Sequence, residues 1–366
     1  MYIWERPDWP RFRWDAARLA ALLAEAHLKQ GRLLGRMERL DLTLQNEAEL
    51  LATTDDALKN AEIEGEILSR STVRSSVARR LGIADAALGP EDRRADGIVE
   101  VTLDATRNCM APLTAERLLA WQSALFPTGR SGLRAVRLGA WRDDANGPMQ
   151  VISGPDGRQR IHFEAPPAER VESEMQEFLT WLNPPITIDG ILHAAIAHLW
   201  FVTIHPFEDG NGRIARVLAD MSLARSEQSP RRFYSLSGQI RRDRARYYAS
   251  LENTQRGDLG ITDRLVWFVQ CFSKTIDAAE TVCAGVLQKA EFWQRHASIQ
   301  LNERQRLMLN RVLDGFRGKL TARKWAVLTK CSIPTAQRDI GDLVRREVLI
   351  RSEGGSKNTS YLLASR

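Results

Sequence analysis

The sequence of 366 residues predicts a mainly α fold, with one β-hairpin in its body and a small basic unit at its end. Three observations carry that expectation. Apolar residues recur at helical spacing through most of the chain. Strand-like alternation is confined to residues 134–165 and the last 20 or so positions. Charge is unevenly placed: residues 301–366 hold 14 basic and 6 acidic side chains, whereas the first 300 hold 38 and 40. At roughly 100–200 residues per domain, the length suggests two or three domains. With 43% hydrophobic and 27% charged residues, collagen, coiled-coil rods and disordered chains are excluded.

Residues 1–90 read as helical. The spacing predicts a helix from Trp14 and another from Asp55 to Arg80, stopped at Leu81-Gly82. A further helix is expected over 114–124. Strands are expected at 134–138, 149–153 and 160–164, punctuated by Asn146-Gly147-Pro148 and Gly154-Pro155-Asp156-Gly157, most simply as one hairpin. Helices resume at 169–183, 189–204, 213–225, 241–254 and 261–295. The run Gly190–Phe207 is uncharged and approaches membrane-span length. It contains His193, His198 and His205 and flows into a polar loop, so it reads as a buried core helix. No apolar region opens the chain, so a cytoplasmic protein without a secretory signal is expected. Cys109, Cys271, Cys283 and Cys331 form no CxxC pair and fit small core side chains in a reducing compartment.

The last 66 residues predict helices at 303–313, 321–330 and from Ser332, with Ser332 as cap and Pro334 in the first turn. Strands at 348–351 and 359–363 follow, around Gly354-Gly355-Ser356. Three helices and a two-stranded hairpin is the winged helix-turn-helix order. The expected divisions are therefore 1–90, 91–296 and 297–366, with the central hairpin at about 134–165. Thr335, Gln337 and Arg338 at the start of the third helix, and Lys357 in the wing, are the candidate nucleic-acid contacts, since Arg and Gln can read base edges. A protein-binding winged helix with a solvated basic face is the alternative.

The stretch His205-Pro206-Phe207-Glu208-Asp209-Gly210-Asn211-Gly212-Arg213-Ile214-Ala215-Arg216 carries chemistry. It joins two helices through a glycine-rich loop, whose backbone N–H groups can face an anion at a helix N-terminus. Gly210 and Gly212 permit close backbone approach. Asp209 is a hard oxygen ligand suited to Mg²⁺. Arg213 and Arg216 stand three apart, so both can face phosphates. His205 is a proton acceptor with an ordinary pKa of about 6.5.

These twelve residues fill every defined position of HPFx(D/E)GNGRxxR, and the chain resembles the Fic family. The hairpin upstream is similar to the Fic flap that clamps the target segment. The Trp-rich opening looks like the N-terminal domain fused to bacterial Fic proteins. The resemblance implies transfer of AMP from ATP, with Mg²⁺, to a Tyr, Thr or Ser hydroxyl of a target protein, the chain itself included. It implies His205 as general base and Asp209 as the Mg²⁺ ligand. Gly210, Asn211 and Gly212 would cradle the α-phosphate, Arg213 the β/γ-phosphates and Arg216 the γ-phosphate. Within the same nucleotide-binding stretch, Phe207 would anchor the loop in the core, and Glu208 fills the variable position. Residues 60–65, Asn60-Ala-Glu-Ile-Glu64-Gly65, resemble the family's inhibitory motif (S/T)xxxE(G/N). This implies that Glu64 pairs with Arg216 and blocks the γ-phosphate. Asn60 departs from the expected Ser or Thr, and implies weaker inhibition. Asp243 and Tyr247 fall where the family binds adenine; packing of Tyr247 and Tyr248 between helices is the alternative reading.

Other readings of the same residues remain. The site could remove AMP, with Glu64 placing a water, or transfer another phosphate-containing group. The chain could instead be a DNA-binding regulator that uses nucleotide as a signal. A homodimer is expected from family habit, and no membrane association is expected.

Overall fold

The computed structural model describes residues 1–83, 89, 91–145, 147–154, 158–313, 316, 318–352 and 359–364. Helices dominate, and the strands among the described residues are short and paired two by two. The chain divides into two compact units, 1–280 and 281–366.

The first unit opens with a 3-10 turn, Ile3–Glu5, in an extended N-terminal segment. That segment is strapped down by indole and backbone bonds. Trp4 Nε1 donates to the Glu164 carbonyl at 2.8 Å, and Trp9 Nε1 to Glu174 at 2.7 Å. The Arg13 N–H donates to the Leu259 carbonyl at 2.8 Å. Helices α1 (Ala16–Glu38) and α2 (Leu42–Ile63) follow, each started by an aspartate, Asp15 and Asp41, that accepts first-turn N–H groups. Then come α3 (Arg70–Leu81), α4 (Arg93–Arg107) and α5 (Ala115–Leu125).

The expected helix over 55–80 is two helices. Gly65, at φ 84°, reverses the chain after α2. The Glu66 N–H reaches back to the Ala61 carbonyl and the Gly65 N–H to the Glu62 carbonyl, both at 3.1 Å. This is a Schellman stop, in which a glycine takes the left-handed conformation at the helix end.

The strand region also differs from expectation. Residues 134–138 do not join the hairpin: β1 (Arg130–Ser131) pairs with β2 (Arg134–Ala135) as a separate small ribbon. The central hairpin, which the sequence likens to a flap, is β3 (Gln150–Ser153) antiparallel to β4 (Arg160–Glu164), with Gln150 opposite Glu164 and Ser153 opposite Arg160. Asn146 and Pro155-Asp156-Gly157, expected as turn residues, lie outside the described residues.

Helices α6 (Ala168–Leu182), α7 (Gly190–Ile204) and α8 (Asn211–Glu227) form the heart of the unit. Residues 191–204 of α7 are all buried, which accounts for the uncharged run. The helix expected over 241–254 is likewise two, α9 (Leu236–Arg242) and α10 (Arg244–Gln255), meeting at Asp243. Helix α11 (Thr262–Arg295) runs across the boundary between the units. Cys109, Cys271 and Cys283 are core side chains.

The second unit holds α12 (Glu303–Leu313), α13 (Ala322–Leu328) and α14 (Ile333–Arg345), then β5 (Leu349–Arg351) antiparallel to β6 (Tyr361–Leu363). Its core gathers Phe292, Met308, Trp325, Ile340 and Leu349. No helix among the described residues is long and apolar enough to cross a membrane.

Candidate active site

Helices α7 and α8 pack against each other and present their connecting loop to a cavity of about 820 Å³. The loop is tied by its own asparagine. Asn211 Oδ1 accepts the Phe207 N–H at 3.0 Å, and Asn211 Nδ2 donates to the Phe207 carbonyl at 2.7 Å. Asn211 thus braces the loop instead of offering its amide to an anion, and Phe207 is fully buried beneath it. No side chain caps the first turn of α8, which stands at the positive end of the helix dipole.

His205 ends α7 in the left-handed conformation, φ 53° and ψ 56°. Such a backbone is uncommon for a residue with a side chain and must be held by its surroundings. Arg142 holds it. Arg142 Nε donates to the His205 carbonyl at 2.8 Å, the Arg142 N–H donates to the Pro206 carbonyl at 2.9 Å, and Nη2 reaches the Pro166 carbonyl. Asp144 balances the guanidinium at 3.0 Å and also accepts the Ala168 N–H at the start of α6. His205 Nδ1 lies 3.2 Å from the Val202 carbonyl. A carbonyl only accepts, so Nδ1 carries the proton and Nε2 keeps its lone pair. Burial lowers the His205 pKa to about 4, and the Arg142 charge adds to this against the pull of Val202, Glu64 and Asp209. The imidazole is therefore neutral at pH 7 and able to accept a proton.

Both motif arginines are buried and both are engaged by glutamates from the end of α2. Arg216 Nη2 lies 2.8 Å from Glu64 Oε1, and Arg216 Nε donates to Asn60 Oδ1 at 2.7 Å. Asn60 is fully buried, and its Nδ2 also donates to the Arg213 carbonyl at 3.2 Å. Burial opposes the Arg216 charge, but Glu64 together with Tyr247 and Tyr248 offsets it, and the Arg216 pKa is raised. Arg213 Nη1 lies 3.0 Å from Glu66 Oε2, and its guanidinium stacks over Phe126, centred 4.6 Å away. The glutamate turn also abuts the loop itself: a Cβ at Gly212 would fall 2.3 Å from Glu64 Oε1. Gly210, at φ 93°, has the Phe126 ring against it.

Asp209 is partly exposed at the loop mouth, 3.8 Å from Arg213 Nη2, with one oxygen on the Gly210 N–H. Glu208, at the variable position of the motif, accepts the Arg137 N–H at 3.0 Å and so anchors the segment before the hairpin. Among the described residues no cluster of three His, Cys, Asp or Glu side chains forms a metal cage.

The far wall of the cavity is α10 and the flap: Tyr247, Tyr248, Arg244 and Glu252 face Val151, Ile152 and His162. Burial pushes the Tyr247 hydroxyl up to about 12, and its oxygen lies 3.1 Å from His198 Nε2. The flap is latched to α10 by His162 Nδ1, 2.8 Å from Glu252 Oε2. Asp243 does not line the cavity; its carboxylate lies beside Gln239 and Lys274, at 3.3 and 3.4 Å.

Residues 112–223 match the Fic/DOC family. The chain carries a Fic domain. Upstream of it, residues 2–83 match a domain of unknown function, DUF4172. Curated relatives of the Fic region include a protein adenylyltransferase fic-1 from Caenorhabditis elegans, 43% identical over 25% of this chain and 17% of that protein. Another is a protein adenylyltransferase Fic from Nematostella vectensis, 39% identical over 32% of this chain and 26% of that one. The chain thus aligns with only 17% and 26% of the length of these two relatives. Among solved structures, a Fic family protein from Desulfovibrio desulfuricans superposes with TM-score 0.53 at 19% identity, covering 95% of this chain and 96% of that one. That likeness speaks for the fold.

In the second unit, Gln337 and Arg338 are exposed on the first turns of α14. Thr335 is half-buried, its N–H and hydroxyl beside the Ser332 hydroxyl. Lys357 lies outside the described residues.

Sequence reasoning located the Fic loop but missed Glu66, Arg142, Arg244, Tyr248 and the anchoring role of Glu208. The doublet of glutamates around Gly65 was the visible signal for Glu66. Nothing in the sequence marked Arg142.

Proposed function

We propose that this chain is a protein adenylyltransferase that moves AMP from ATP to a hydroxyl side chain, itself included, and that the end of α2 holds it inactive. The observation that carries the reading is the meeting of His205 and the first turn of α8 at one cavity, where Glu64, paired with the buried Arg216, also lies. His205 Nε2 takes the proton of the incoming hydroxyl. The hydroxyl oxygen bonds to the α-phosphorus beside the amides at the start of α8 as the bond from that phosphorus to the bridging oxygen breaks, and pyrophosphate, held by the two arginines once the glutamates withdraw, leaves. The Asp209 carboxylate, half-exposed at the loop mouth, suits Mg²⁺, which favours one or two carboxylates plus phosphate oxygens. When bound, Mg²⁺ would neutralise phosphate charge there.

The test is mass spectrometry of the Glu64→Gly protein after incubation with ATP and Mg²⁺. A gain of one AMP group on a Tyr, Thr or Ser supports the reading. Transfer from UTP, GTP or CDP-choline in preference to ATP would replace it with another group transfer at the same site. The exposed Gln337 and Arg338 support DNA contact by the second unit as a winged helix. A DNA mobility shift that weakens steeply with salt and falls in Arg338→Ala checks it.

A further inference from the structure

We infer that residues 2–83, which match a domain of unknown function, act here as a two-carboxylate occupant of the phosphate site, with Glu66 as a second lock on Arg213 beside Glu64 on Arg216. The inference rests on the nucleotide reading of the loop and extends it to a residue outside the inhibitory motif.

The geometry is specific. The Schellman turn at Gly65 points residues 64 and 66 to the same side, and the carboxylates reach two different arginines, at 2.8 and 3.0 Å. Those arginines are 0 and 7% exposed at their side chains, so each has few other partners to choose from. Arg213 Nε is buried without a hydrogen-bond partner, which leaves the guanidinium short of the contacts a phosphate would supply. The placement is not explained by helix stability. Acidic groups at a helix C-terminus face the negative end of the dipole, and α2 has no basic side chain in its last turn. The two carboxylates are held there by the arginines of the Fic loop. A polyphosphate that takes Arg213 must displace Glu66, and one that takes Arg216 must displace Glu64. Removal of Glu64 alone therefore leaves one phosphate arginine occupied.

Titration calorimetry with Mg²⁺–ATP on the full chain tests this, with wild type, Glu66→Gln, Glu64→Gly and the double variant. Glu62→Gln serves as control: its carboxylate in the same turn pairs with Lys59 and Arg241, away from the loop. Glu66→Gln should tighten ATP binding about three- to tenfold, since one charge-assisted competitor is lost. The double variant should bind tighter than Glu64→Gly by a similar factor, and label faster. Glu62→Gln should match wild type. Equal affinity of wild type and Glu66→Gln, together with equal affinity of Glu64→Gly and the double variant, would overturn the second lock. An affinity gain without any AMP on the protein would uphold the lock while sinking adenylyl transfer. No ATP binding in any form would overturn both.

Discussion

The loop 205–216 and the turn 60–66 meet at the same two arginines, yet they are built in opposite ways. The loop is braced largely from within, by Asn211 on Phe207 and by α7 and α8 at its ends, with Arg142 holding its first two carbonyls from outside. Its chemistry lies within twelve consecutive residues. The backbone of the turn is closed by its own Schellman bonds, but its two carboxylates have no local partner. Glu64 and Glu66 stand at the unfavourable end of a helix dipole and are held by groups more than 140 positions away. On the proposed reading, a catalytic loop has to be right before substrate arrives, so most of its order is local, whereas the carboxylates of an inhibitory turn have to be removable, so their placement is borrowed from the site they would block.

The largest effect is expected where the loop itself is broken. His205→Ala, placed in the Glu64→Gly protein, should cut transfer by about 10²–10⁴-fold with Mg²⁺–ATP affinity retained. Near-unchanged labelling at saturating ATP would remove the base from the account. Arg142→Lys keeps the charge but loses the fork that holds the His205 and Pro206 carbonyls. It should slow transfer roughly ten- to a hundredfold through misplacement of the imidazole, again without weakening ATP. If rate and affinity fall together, Arg142 supports the nucleotide site and not His205.

The protonation state of the loop gives a finer probe. The His205 base works when unprotonated, and its pKa is lowered to about 4. Glu64 is one of the groups that raises it, so the acid limb of the rate profile of Glu64→Gly should lie at or below about pH 4, well below the ordinary value of about 6.5. His193 is likewise lowered to about 4, by burial and by Arg225. Both imidazoles bind a proton more readily when unfolded, so stability should decline as pH falls from about 6.5 to 4. A denaturation series over that window checks the sign.

Perturbing the turn should give smaller effects. Asn60 was expected to be a weak latch, but it is fully buried and bonded to both Arg216 and the Arg213 carbonyl. Asn60→Ser shortens that reach, so self-labelling should rise severalfold; an unchanged rate would make the position idle. Gly65→Ala forces a side chain into the left-handed region and should lower stability by about 1–2 kcal/mol in denaturant titration.

This contrast also sets what was legible. The Fic loop and the buried α7 were readable because their information is contiguous, a motif in one case and an uncharged run in the other. The mainly α fold followed from periodicity. Helix breaks were missed where a single residue redirects the chain: Gly65 splits 55–80, and Asp243 separates α10 from α9, which begins at Leu236, before the expected start at 241. Arg142 escaped notice because it acts on the backbone of residues 63 and 64 positions away, and carbonyls carry no sequence signature. Asp243 drew attention by its position in the chain, whereas α10 turns Arg244, Tyr247 and Tyr248 to the cavity.

The central claim is that an intact transfer site is silenced by the carboxylates of the α2 turn. It is tested most directly by initial rates of ATP-dependent self-labelling for wild type, Glu64→Gly and Glu64→Gly/His205→Ala under one set of conditions. Loss of the Arg216 ion pair should raise labelling about ten- to a hundredfold over wild type, with the double variant returned to background. Equal labelling of wild type and Glu64→Gly, or labelling that survives in the double variant, would contradict the account.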